Sequence, residues 1–223
     1  MRLINTLKAA GAAAILVAAA AASIAPASAD DMGFKGKSAG DILIRGRVVG
    51  VVPDEDVKAK NGALPNSGSV DNDVIPEVDF SYFLTDNIAL ELIAGTSKHD
   101  VSWNTGAANL DLGSVRLLPP TLTLQYHFLS KERFSPYVGA GINYTFFYDS
   151  KSGQFQDVKY DDGFGYAFQA GFDYAISGPW SLNVDVKKIF LNTDVTVNTG
   201  AGTVKADADL DPWLFGIGIG YRF

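Results

Sequence analysis

The chain has 223 residues, with 18 basic against 25 acidic side chains, a formal charge of −7, and no cysteine. The acidic balance excludes a nucleic-acid partner, whose phosphates need a basic surface. The missing cysteines exclude disulfides, thiolate metal sites and a cysteine nucleophile.

The first segment reads as an export address. Arg2 and Lys8 make a short positive region, residues 9–25 are almost wholly apolar, and Ala27-Ser28-Ala29 has the small-x-small form that signal peptidase accepts. The apolar run is mostly alanine and shorter than the roughly 20 residues of a spanning helix. Residues 1–29 are therefore expected to be a removed signal peptide and residues 30–223 a single outer-membrane domain. Loss of Arg2 and Lys8 leaves 16 basic against 25 acidic residues, a formal charge of −9. Every later apolar stretch is broken by charge, Pro or Gly before 18 residues, so any membrane crossing falls to strands.

Alternation of period 2 then marks eight segments in chain order. Asp41 to Val52 sets Ile42, Ile44 and Val48 against Arg45 and Arg47. Val74 to Leu84 sets Val78, Phe80, Tyr82 and Leu84 against Glu77, Asp79 and Ser81. Ile88 to Gly95 opposes Leu90 and Leu92 to Glu91, and Leu117 to Phe128 opposes Leu122, Leu124, Tyr126 and Phe128 to Thr121, Thr123, Gln125 and His127. Pro136 to Phe147 alternates bulky residues with Gly139, Gly141, Asn143 and Thr145. Phe164 to Ile176 opposes Tyr166, Phe168, Phe172 and Tyr174 to Gln169, Gly171 and Asp173, and Trp180 to Phe190 opposes Leu182, Val184 and Val186 to Asn183, Asp185 and Lys187. From Trp213 the odd positions to Phe223 are all bulky, whereas Gly216, Gly218, Gly220 and Arg222 face the other way.

Connections alternate too. Long ones cover residues 53–73, 96–116, 148–163 and 191–212, and short ones residues 85–87, 129–135 and 177–179. Short periplasmic turns with long outer loops, an even strand count and an apolar outer face predict an all-β fold, an eight-stranded antiparallel transmembrane β-barrel in the cell outer membrane. A soluble β-sandwich would also alternate, but it could not hold so many Trp, Phe and Tyr rings between two sheets while leaving the glycine face in water.

The same residues resemble the OmpW family of small outer-membrane barrels. Residues 40–55 (GDILIRGRVVGVVPDE) look like its first strand, residues 82–101 like its second turn and third strand, and residues 118–128 with 135–149 like its most specific signature. The outer loops depart from the pattern, residues 96–100 being one residue short. The resemblance implies a narrow pocket or channel for small hydrophobic molecules, with Phe83, Ile93, Phe147 and Leu214 as candidate apolar lumen lining because their parity points inward. It also implies that the terminal Tyr221 and Phe223 serve as the signal read by the outer-membrane assembly machinery.

An eight-stranded interior is just wide enough to be filled by side chains. Arg45, Arg47, Glu77, Asp79, Glu91, Asp173, Asp185, Lys187 and Arg222 are accordingly expected to form a paired polar lumen core, since unpaired buried charge is very costly. A closed lumen would instead fit a structural or surface-interaction barrel, with outer-membrane lipid and lipopolysaccharide as partners. A lipid A enzyme needs a His with a hydroxyl and a carboxylate; only His99, beside Asp100, is placed for it, and no Ser partner is evident. No catalytic residue, metal site or cofactor is assigned. The acidic outer loops (Asp54, Glu55, Asp56, Asp71, Asp73, Asp149, Asp157, Asp161, Asp162, Asp207, Asp209 and Asp211) read as ordinary loop solubility.

Overall fold

The computed structural model describes residues 33–54, 56–59, 68–104 and 109–223. The expected signal peptide and Glu55 lie outside these. Among the described residues there is no helix. The strands are β1 (Ile42–Val52), β2 (Asp56–Ala59), β3 (Gly68–Val70), β4 (Asp73–Phe83), β5 (Ile88–Gly95), β6 (Ser97–Asn104) and β7 (Asn109–Leu118). They continue with β8 (Thr121–His127), β9 (Phe134–Lys151), β10 (Asp157–Tyr160), β11 (Gly163–Ser177), β12 (Trp180–Asn198), β13 (Thr203–Asp209) and β14 (Trp213–Arg222).

Eight of them close a ring. β1 pairs with β4, β4 with β5, β5 with β8, β8 with β9, β9 with β11, β11 with β12, β12 with β14, and β14 returns to β1, every pair antiparallel. No barrel strand keeps a free edge, which is how a sheet satisfies its backbone in lipid. Val48, Val78, Leu124, Ile142, Phe168 and Ile217 stand 54–59 % exposed on the outside, a continuous apolar belt of the kind a water-soluble monomer does not carry. Aromatic residues edge it: Trp180 meets Tyr221 edge-on at 4.8 Å, and Trp213 stacks on Phe215 at 6.4 Å, as interfacial girdles do.

The glycines make room for the lumen. A Cβ on Gly171 would stand 2.7 Å from the Tyr137 hydroxyl, and one on Gly218 would stand 2.8 Å from Arg47 Cγ. At the short turn between β11 and β12, Gly178 takes φ +52°, the left-handed region that favours glycine.

Two expectations need correction. The segment from Leu117 to Phe128 is two strands: β7 ends at Leu118 and β8 starts at Thr121, because neither Pro119 nor Pro120 has an N–H to give the ladder. The long outer connections are also largely strand. β9 and β12 run on to Lys151 and Asn198, past the expected Phe147 and Phe190. There β12 pairs with β10 and β13, and β13 with β2; β9 pairs with β7, β7 with β6, and β6 with β3. The two sheets enclose a second apolar cluster of Trp103, Leu112, Val158, Val195, Val197, Ala206 and Ala208. The barrel thus carries a cup on its outer end.

Ile217 lies mid-way along β14 and faces outward. Ile217→Arg is expected to lower folding stability in phospholipid vesicles by about 2–4 kcal/mol, the cost of a guanidinium near the bilayer midplane. Urea titration in vesicles checks it.

Candidate functional site

The inward residues of β1, read from the periplasmic end, are Leu43, Arg45, Arg47, Val49 and Val51, all 5 % exposed or less. They record the interior by depth: a small apolar base, a charged middle and an apolar top.

The middle is a single network. Arg45 donates from Nε and Nη2 to the two oxygens of Asp173 at 3.1 and 3.0 Å, and from Nη1 to Asp79 Oδ1 at 2.8 Å. Arg47 donates to Glu77 Oε1 at 2.8 Å and to Asn183 Oδ1 at 2.7 Å, and its Nη1 sits 3.0 Å from Asp79 Oδ2 as an ion pair without hydrogen-bond alignment. Glu91 lies between the two guanidiniums, with Oε1 at 3.3 Å from each, and its other oxygen accepts from Thr123 at 2.8 Å and Gln169 at 2.6 Å. Lys187 Nζ reaches Glu77 at 3.2 Å, and the Tyr137 hydroxyl donates to Asp185 at 2.9 Å. Planar, forked guanidiniums suit this task, since each serves several carboxylates at once. The structure therefore brings eight of the nine expected polar residues together.

Arg222 is the exception. It stands at the periplasmic rim, where it donates to Asp41 Oδ2 at 3.1 Å and to the Lys35 carbonyl; it is the last strand residue, too near the end of β14 to reach the network. Lys37, a residue that sequence reasoning missed, takes part instead. Its ammonium meets Asp173 Oδ2, Ser135 Oγ and His127 Nδ1, each at 2.8 Å. Three cations, Arg45, Arg47 and Lys187, face five buried carboxylates, and Lys37 narrows that imbalance. Its segment straps the rim: Lys37 N–H donates to Ser130 O at 2.7 Å, Ala39 N–H to Asp86 Oδ1 at 3.0 Å, and Lys131 Nζ to Lys37 O at 2.8 Å. No alternation marks such a strap in sequence.

Above the network lies an apolar cavity with about 100 Å³ open to the centres of water-sized molecules. Val51, Ile75, Ile189, Leu191 and Leu214 form its base, and Val101, Trp103, Leu112, Val195 and Val197 its upper wall. Of the expected lining, Phe147 and Leu214 are in the wall. Ile93 is buried but does not line it, and Phe83 lies at the opposite end of the barrel with Leu43 and Ala89, its ring 5.0 Å from His127. Inward parity was right for all four; depth was the missing information, because β4 and β5 meet at the periplasmic turn where Phe83 sits.

Four polar side chains of the wall, Ser97, His99, Thr145 and Thr193, are hydrogen-bonded within the protein. Thr145 donates to Asn143 at 2.8 Å and Thr193 to the Asp161 carbonyl at 2.6 Å. His99 has the Asp71 carbonyl at 2.9 Å and Ser97 Oγ at 3.0 Å. A serine hydroxyl does adjoin His99, contrary to expectation, but the position that a catalytic carboxylate would take holds a backbone carbonyl, and Asp100 turns out to Lys98. Among the described residues no group of His, Asp and Glu is placed to hold a metal ion.

A closed eight-stranded wall, apolar outside and polar within, is that of an outer-membrane β-barrel protein. The OmpW family model matches residues 38–223. The chain belongs to the OmpW family. It is 47 % identical over 182 residues to the outer-membrane protein y4mB of Sinorhizobium fredii, covering 81 % of this chain and 79 % of that one. The crystal structure of OprG from Pseudomonas aeruginosa superposes with a TM-score of 0.78 at 33 % identity, over 84 % of this chain and 98 % of that one. A further relative, 31 % identical over 73 % of this chain and 79 % of its own, is the dibenzothiophene metabolism operon protein PahQ of Pseudomonas aeruginosa. The protein resides in the outer membrane.

Arg45→Met leaves Asp79 and Asp173 short of a counter-ion and is expected to cost about 3–5 kcal/mol. Arg222→Met, at the rim, is expected to cost about 1 kcal/mol or less. Urea titrations of both variants in vesicles test the ranking. Lys37→Ala is expected to free the strap, so that hydrogen exchange speeds up at the amides of residues 37 and 40 while the amide of Arg45 stays protected.

Proposed function

We propose that the protein gives small apolar molecules a passive route from the outside into the outer membrane, with the outer cavity as the binding site and no reaction carried out on the passenger. The observation that carries this reading is the cavity's depth: it opens at the cup, is walled by carbon, and ends on a charged network that fills the barrel beneath it. An apolar molecule gains by entering the cup and gains nothing by continuing down the axis. The cavity wall includes Pro119, at the break between β7 and β8 where the ladder lacks two N–H donors, so the outer leaflet is the favoured exit. The name of the relative PahQ, which refers to the metabolism of a fused aromatic sulfur heterocycle, supports a passenger of this class.

The outward belt takes outer-membrane lipid and lipopolysaccharide as its surroundings, and the Tyr221-Arg222-Phe223 ending, with Phe223 exposed and its ring 4.7 Å from that of Tyr221, is the part offered to the assembly machinery. Ala208 lines the cavity and is 4 % exposed. Ala208→Trp fills the space, and uptake of a labelled aromatic hydrocarbon by a deletion strain carrying this variant is expected to fall to the level of the empty strain. Unchanged uptake in a correctly folded variant would mean that the barrel serves surface interaction with a closed lumen.

A further inference from the structure

Among the described residues, two buried polar atoms in the cup have no partner: the indole nitrogen of Trp103 and the hydroxyl oxygen of Tyr160. Both side chains line the cavity and both belong to its upper apolar cluster. Trp103 is 4 % exposed. They are the exceptions on a wall where Ser97, His99, Thr145 and Thr193 are all bonded within the protein. Buried donors are nearly always satisfied, because leaving one unpaired loses the water it had without replacing it.

From this, and resting on the reading of the cavity as a binding site, we infer that the cavity's preferred ligand is a neutral apolar molecule carrying one hydrogen-bond-accepting oxygen, such as a ketone, aldehyde or ester. The chemistry narrows the class from both sides. An indole N–H only donates. Burial pushes the Tyr160 phenol up to about 12, so it keeps its proton and donates as well. A plain hydrocarbon leaves both donors unpaired. A carboxylate finds no counter-ion, since among the described residues no Lys or Arg lines the cavity, and a polyol brings more polar groups than two donors satisfy. Both atoms are buried out of reach of water. Tyr160 stacks on Phe147 with ring centroids 5.7 Å apart, and ligand binding requires Tyr160 and Trp103 to change side-chain rotamer so that their donors reach the ligand oxygen.

Trp103, Trp180 and Trp213 are the three tryptophans, so nitrogen-15 labelling gives three indole signals, and Trp103→Phe assigns the one of interest. The full-length mature barrel in lipid nanodiscs is titrated with decane and, separately, with methyl nonanoate, while the methyl signals of Leu112 and Val195 report occupancy of the cavity. Both probes are expected to move the methyl signals. Only the ester is expected to shift the Trp103 indole proton downfield, and to bind roughly three- to tenfold more tightly than decane, the worth of a neutral hydrogen bond. Tyr160→Phe keeps the ring and is expected to shrink that difference while leaving decane binding as it was. Equal affinities and an unmoved indole, with methyl signals responding to both probes, would overturn this inference and leave the apolar cavity as proposed. Methyl signals that respond to neither probe would overturn both.

Discussion

The structure depends on one constraint: eight strands enclose a space that side chains alone must fill. Whatever points inward has to satisfy its neighbours at the same depth. Arg45 and Arg47 meet this at mid-barrel by sharing Asp79, Glu91 and their own carboxylates, so that two cations serve a ring of anions drawn from β4, β5 and β11. The glycines of β9, β11 and β14 follow from the same shortage of room. Gly139, Gly171 and Gly218 stand where Gln169, Tyr137 and Arg47 take up the space a side chain would need.

The lumen is divided by depth, with a charged middle and an apolar top that the alternation of residues does not distinguish. The charged network fills mid-barrel, and the cavity lies above it. The walls of the cup are built from strands beyond the membrane belt rather than from the belt itself. His99, Trp103, Tyr160 and Thr193 all reach the cavity from those strands.

The barrel was legible in the sequence because lipid and lumen impose opposite demands on alternate residues, and this signal repeats eight times. The charged middle was legible for the same reason, down to eight of nine residues. Depth was not legible: parity places Phe83 inward but does not say at which end, and it places Arg222 inward although the strand ends there. Lys37 was missed because it enters the lumen from an unpatterned strap. The cup was read as soluble loop because its inward face uses alanine. Ala206 and Ala208 alternate with Asp207 and Asp209 as regularly as any barrel strand, yet small inward residues between aspartates look like solubility, not like the wall of a cavity.

The polar network also bears on how the chain reaches its place. Arg45 and Arg47 sit on the first barrel strand, whereas Asp173 and Asn183, which hold them, lie 128 and 136 residues further along. Until β11 and β12 arrive, the two guanidiniums of β1 have only the carboxylates of β4 and β5, and the donors that Asp173 and Asn183 satisfy stay without partners. A lone β1 would carry both cations unpaired into hydrocarbon, which is costly. The last pairing, β14 onto β1, joins the latest part of the chain to the earliest.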